Sequence, residues 1–150
     1  MLCRPTQEIY DAFQLEGYKC RICKRSDCSY VETAINFEAL RVELHYISFD
    51  DEGDVSVRVP DYATFPTERT PVVLQKLAEF NASYRGVKFV ADTSRGVISL
   101  HADMPLSAEN TGEIALEMFR ILPGVGNAVY PELMGCIWGD DDGEDTQEDI

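Results

Sequence analysis

No run in this 150-residue sequence approaches the ~20 consecutive apolar residues that a membrane-spanning helix needs. The opening MLCRPTQEIYDAF holds neither a basic leader followed by an apolar stretch nor a small-residue cleavage site, so the expected location is the cytoplasm and no membrane partner is expected. Basic residues are scarce. Thirteen Lys and Arg face 27 Asp and Glu, and the formal net charge of -14 repels nucleic acid backbones and anionic lipids, so nucleic acid is not expected as a partner. No Ser stands in a G-x-S-x-G elbow, and Gly124-Val125-Gly126 follows a helical pattern, not the strand after which a glycine loop cradles phosphate. That glycine pair reads as a helix-breaking turn. His45 and His101 each sit in strand-like alternation with no neighbouring motif to orient a general base, and read as strand residues that pair with a neighbour or with solvent. The expectation is a non-enzyme that carries no cofactor.

What is present fits a folded domain. Apolar residues make up 45% and charged residues 27%, the usual balance of a globular protein. Seven acids, Asp140, Asp141, Asp142, Glu144, Asp145, Glu148 and Asp149, close the chain in a stretch with no Lys or Arg. Such a stretch cannot bury enough apolar surface to offset the entropy of ordering it. The reading is one domain over residues 1–139 and an acidic, disordered tail over 140–150; a docking peptide or cation site is the alternative role for the tail.

Periodicity places the elements. Pro5 to Glu16, with Ile9, Phe13 and Tyr10 toward a core, predicts a helix closed by Gly17. Residues 18–37 are ambiguous, because YKCRIC alternates weakly and SYVETAINF suits either a strand or a poor helical turn. Arg41 to Phe49 alternates through Val42, Leu44 and Tyr46, then changes phase at Ile47, which suggests a bulge or a strand buried on both faces. A turn at Asp50 to Asp54 leads to a strand through Val55, Val57 and Val59, closing a hairpin. Pro60 and Pro66 bracket a connection. A helix then begins between Thr67 and Pro71, with Thr70 as a candidate cap, and turns Val73, Leu74, Leu77, Phe80 and Tyr84 to one face. Val87 to Ala91 and Ile98 to Leu100 form a second hairpin. A third helix, capped by Ser107 or Asn110, ends at Pro123-Gly124, and a fourth, opened by Pro131, carries Val129, Leu133, Met134, Ile137 and Trp138. Hairpin-linked strands with helices between them predict a single-domain α+β fold with an antiparallel sheet.

Asn81, Tyr84, Lys88 and Phe89, in the order N-x-x-Y-x-x-x-K-F, straddle the change from helical to strand period. With Phe65-Pro66, the 42–59 hairpin, Asp103 and Tyr130-Pro131, they make the chain resemble the YbjN-domain family over roughly residues 5–138. That resemblance implies the fold of type III secretion chaperones, in the order α-βββ-α-ββ-α-α. It also implies a non-enzymatic interaction or sensory-transduction regulatory module, working as a homodimer that binds a protein partner through sheet and helix surfaces. Pro71 and the cysteine-rich 20–28 segment depart from the family pattern. By physical role, Asn81 and Tyr84 either cap and cover the helix end or, with Lys88, offer a polar contact surface.

Cys20-x2-Cys23-x4-Cys28 is the other candidate site. Its first spacing is one that zinc knuckles use, with Cys3 or Cys136 as a fourth thiol, and Lys19, Arg21, Lys24 and Arg25 would favour thiolates. Only one C-x-x-C is present where a strong zinc signal needs two. Metal binding, a redox pair and plain free thiols therefore all stay open; five cysteines without an export signal argue only against a disulfide scaffold. Asp50, Asp51, Glu52 and Asp54 read as a solvated turn, with a cation site as the alternative.

Overall fold

In the computed structural model, which describes residues 1–52, 55–104 and 110–139, the chain begins with helix α1 (Arg4–Leu15). Four strands follow: β1 (Cys20–Lys24), β2 (Ser29–Asn36), β3 (Arg41–Ser48) and β4 (Val55–Thr64). A 3-10 turn (Thr67–Arg69) enters α2 (Thr70–Ser83), then come β5 (Lys88–Asp92), β6 (Val97–Met104) and α3 (Thr111–Trp138). The strands form one six-stranded sheet in the order β1-β2-β3-β4-β6-β5, antiparallel at every pairing. The α+β architecture is as the periodicity predicts. No helix among the described residues is long and apolar enough to cross a membrane.

Alternation puts one face of the sheet under the helices. Val31, Ile35, Leu44, Tyr46, Val57, Val59, Ile98, Leu100 and Phe89 fall on that face and join Ile9 and Phe13 of α1, Val73, Leu77 and Phe80 of α2, and Leu122, Leu133 and Ile137 of α3 in one core. Leu74, expected on the same helix face, is exposed instead, because the strip α2 buries is narrow and runs through positions 73, 77 and 80.

The ambiguous segment becomes a hairpin, so four strands precede α2 where three were expected. Its weak pattern has a physical reason. Two of the four inward positions of β2 are polar, and both find partners in other segments: Ser29 Oγ meets Thr6 Oγ1 at 2.7 Å and accepts the Cys3 N–H at 3.0 Å, while Thr33 Oγ1 donates to the Lys19 carbonyl at 2.7 Å. The bulge lies in β4, between Val59 and Ala63, and not in β3, which pairs with β2 in unbroken register. Pro60, which lacks an N–H, sits in that irregularity, and the strand continues past it to Thr64.

Pro71 is no obstacle to α2, since it falls within the first two helical positions, where a missing N–H costs nothing. Thr70 is not the cap; its hydroxyl donates back to the Thr67 carbonyl at 2.7 Å.

The largest departure is at the end of the chain. The two expected helices are one 28-residue helix that passes through both Pro123 and Pro131. Each proline removes a backbone hydrogen bond, yet both halves of α3 bury apolar side chains in the same core, Ala115 and Leu116 before Pro123 and Val129, Leu133 and Ile137 beyond it. The Tyr46 hydroxyl donates to the Ala115 carbonyl at 2.7 Å, and Arg69 donates twice to the Cys136 carbonyl, at 2.6 and 3.1 Å. These contacts hold the halves in line. Trp138, placed with the buried stripe in the sequence reading, is 62% exposed at the end of the helix, where Gly139 takes a φ of 75°. Asn110 precedes the helix without a side-chain cap bond. Ser107, Gly53, Asp54 and the acidic segment 140–150 lie outside the described residues.

Candidate functional site

Among the described residues, no helix packs on the second face of the sheet. Because side chains alternate, every inward residue of β2 to β6 has an outward neighbour, and these compose an open surface of mixed chemistry. Arg21 and Cys23 of β1 lie beside Tyr30 and Glu32 of β2; next come Glu43, His45 and Ile47 of β3, Arg58 of β4, Ser99 and His101 of β6, and Val90 of β5. A groove of about 350 Å³ crosses this surface, with Ile47, Pro60 and Val90 supplying apolar walls and Arg58, His45 and His101 supplying polar ones. In a chain of net charge -14, the groove lining holds Arg58 and Arg95 with a single carboxylate, Asp92. A larger depression of about 620 Å³ opens at the β1 side, between Tyr18, Cys20, Arg41, Glu43 and Phe119.

The histidines are held by neighbours, as their strand setting predicts. His101 Nε2 lies 2.9 Å from Ser99 Oγ, and its pKa is pushed below the usual imidazole value first by burial and then by the Arg58 guanidinium, against a smaller opposing pull from Asp103. Burial and Arg58 both favour the neutral ring over the imidazolium. His45 stacks on Tyr30 with centroids 4.9 Å apart and places Nε2 3.0 Å from Glu43 Oε1.

The cysteines are spread out by the strand. Cys20 pairs in register with Thr33 and Cys23 with Tyr30, and three residues apart in a strand means opposite faces. Cys20 points toward the helices and Cys23 toward the open face, where its thiol donates to Glu32 Oε1 at 3.5 Å. Cys28 is buried past the β1–β2 turn; Cys3 Sγ donates to the Ser48 carbonyl and Cys136 Sγ to that of Val72, each at 3.5 Å. All five carry thiols, not disulfides. The expected lowering of thiol pKa by the surrounding Lys and Arg is overturned at two positions. Burial raises the Cys20 thiol, and burial followed by Asp27 raises Cys28 against a smaller opposing effect of Arg25. Among the described residues, the group of three metal-donor side chains that does converge is Glu32, Glu43 and His45, and it contains no cysteine. The sequence reading passed over both glutamates. The signal for one was there: Glu43-x-His45 in a strand puts both on one face.

The Asn81 corner is structural. Its Nδ2 donates to the Phe89 carbonyl at 3.0 Å, and its Oδ1 accepts the Phe89 N–H at 2.7 Å, so a helix side chain pairs with β5 as a neighbouring strand would. Lys88 Nζ donates to the Asn81 carbonyl at 3.2 Å, and Tyr84 packs on the Phe89 ring at 6.5 Å. Asn81→Ala leaves both Phe89 backbone groups unpaired in a half-buried place and should cost about 1–2 kcal/mol. A urea titration of the two proteins checks this; an unchanged midpoint would show that water replaces the amide without loss. Asp51 is likewise occupied, with its Oδ1 accepting the Arg4 N–H at 2.7 Å where α1 starts, so part of the acidic turn serves the fold.

The family model described as YbjN, "Putative bacterial sensory transduction regulator", matches residues 5–133. Among curated proteins there is no match. The matched span runs from the first turn of α1 to Leu133, and so includes the whole sheet and both of its faces.

Proposed function

Because this chain belongs to the YbjN family, whose description is that of a regulator, we propose that it acts as a non-enzymatic, chaperone-like interaction module that binds another protein in the bacterial cytoplasm. The observation that carries the reading is the uncovered face of the sheet. The three helices pack on one face, while among the described residues the other keeps Ile47 and Val90 beside Arg58 and His101 in a groove. Apolar walls with a few placed polar groups suit a peptide segment or a protein surface. A catalytic reading would need a nucleophile and base in register. The His101–Ser99 contact instead has its imidazole on a sheet surface, where among the described residues Ser99 is its hydrogen-bond partner and no third group is hydrogen-bonded to the ring.

The chain is proposed to work as a homodimer, which the resemblance implies, and the acidic segment 140–150 to keep the assembly soluble. The competing proposal, a metal or redox protein built on Cys20, Cys23 and Cys28, has against it the separation of Cys20 and Cys23 across the strand.

Affinity capture from the source cell tests the reading with three baits: the intact chain, Ile47→Asp/Val90→Asp on the open face, and Leu74→Asp on the exposed side of α2. A specific partner should be enriched by the first and third baits and lost with the second. Failure of the intact chain to enrich any protein above a matched control would sink it. Light scattering at the 16.9 kDa monomer mass across micromolar concentrations would remove the dimer.

A further inference from the structure

Glu32, Glu43 and His45 each present a ligand atom, and these atoms lie within 4.8 Å of one another. Strand register brings them together. Glu32 of β2 and His45 of β3 are direct partners across the ladder, and Glu43 follows on the same face two residues from His45. The arrangement is preorganised. His45 is fixed by its tilted stack on Tyr30, at 35° between planes, and the Glu32 side chain is only 11% exposed.

Three features distinguish this group from a scatter of surface acids. Its third donor is an imidazole nitrogen, which a chance acidic patch does not supply. Its two carboxylates come close enough, with ligand atoms within 4.8 Å, for one dication to be attracted by both, while Arg21 pairs with Glu32 from a side chain 72% exposed to solvent. Arg21 Nε and Cys23 Sγ both use the same Glu32 oxygen, Oε1, at 2.9 and 3.5 Å, so these two neighbours gather on one oxygen of the carboxylate. Magnesium and calcium favour all-oxygen shells of six or more ligands. One imidazole with two carboxylates, and with a thiol alongside, suits a borderline ion that accepts four-coordination and keeps a position for water.

We propose that Glu32, Glu43 and His45 form a binding site for a divalent transition metal of the zinc class on the open face of the sheet. The site takes no cysteine as one of its three donors, though Cys23 lies alongside it, and it adjoins the groove through His45, which also lines that groove. It goes beyond the protein-binding reading and stands or falls without it.

The test is calorimetric titration of the chelator-treated full chain with Zn2+ in excess Mg2+, which occupies nonspecific acidic sites. One equivalent should bind. His45→Ala and Glu43→Gln should each weaken that binding by at least about tenfold, and Cys20→Ser, on the other face of β1, should leave it unchanged. Thermal midpoints of the metal-free variants confirm folding, and His45→Gln substitutes for His45→Ala if the latter lowers its midpoint. The proposal is overturned if the wild-type chain binds no Zn2+, if either ligand substitution leaves the affinity intact, or if Cys20→Ser abolishes the site.

Discussion

Replacing Tyr62 by Ala should lower the unfolding free energy by about 3–5 kcal/mol, the range for removing a buried aromatic ring, whereas Tyr62→Phe should cost only about 1–2 kcal/mol. Tyr62 is 1% exposed and stands where the sheet, the β2–β3 connection and α3 meet. Its ring makes edge contacts with Phe37, Phe89 and Tyr130 at centroid distances of 5.4, 6.2 and 5.9 Å. Its hydroxyl donates to the Gly126 carbonyl at 2.5 Å, and burial, followed by the nearby Tyr130 phenol, pushes its pKa far up, so the proton stays on. The difference between the two variants separates packing from the hydrogen bond. Denaturant unfolding monitored by circular dichroism measures both. Near-equal losses for Phe and Ala would mean that the hydroxyl, and not the ring, carries the interaction.

Gly126→Leu should destabilise by about 3 kcal/mol or more, the upper end for overpacking a tight core, and Gly126→Ala should go the same way by less. A glycine inside a helix ordinarily costs about 1 kcal/mol relative to Ala, so the predicted sign is reversed. The reason is steric. A Cβ at Gly126 would run into the Phe37 ring, which is itself buried and held by Tyr62. Gly124, two residues away on the same helix, is exposed and has nothing within 4 Å of the Cβ it would gain. Gly124→Ala should therefore stabilise by about 0.5–1 kcal/mol. Opposite signs for the two alanine variants in one urea series are the expected result. A gain at both positions would mean that Phe37 yields without cost, and that the close approach of the β2–β3 connection to α3 is not what requires glycine there.

How much of this was legible beforehand depended on whether an element's stability is local. The 42–59 hairpin, the helix before Asn81 and the 88–104 hairpin are amphipathic along their own length, and their patterns point to the observed structure. β2 was ambiguous because Ser29 and Thr33 occupy inward positions and find their partners in Thr6 and Lys19, residues far away in sequence. The candidate site was less legible still. Cys20 and Cys23 drew attention by spacing, which a strand converts into opposite faces, whereas Glu32, Glu43 and His45 converge only once β2 and β3 are in register.

The amino-acid sequence by itself determined the class of the molecule: the alternating and helical periods dictate hairpins and amphipathic helices, and the motif around Asn81 marks the family, because these signals act over a few residues. The tertiary structure alone decided that α3 runs through two prolines, that a bulge carries β4 past Pro60, and which face of the sheet remains open. Proline's local cost is a fixed property of the residue. Whether a helix bears that cost depends on the apolar surface and hydrogen bonds that distant segments bring to its two halves, and those exist only in the assembled core.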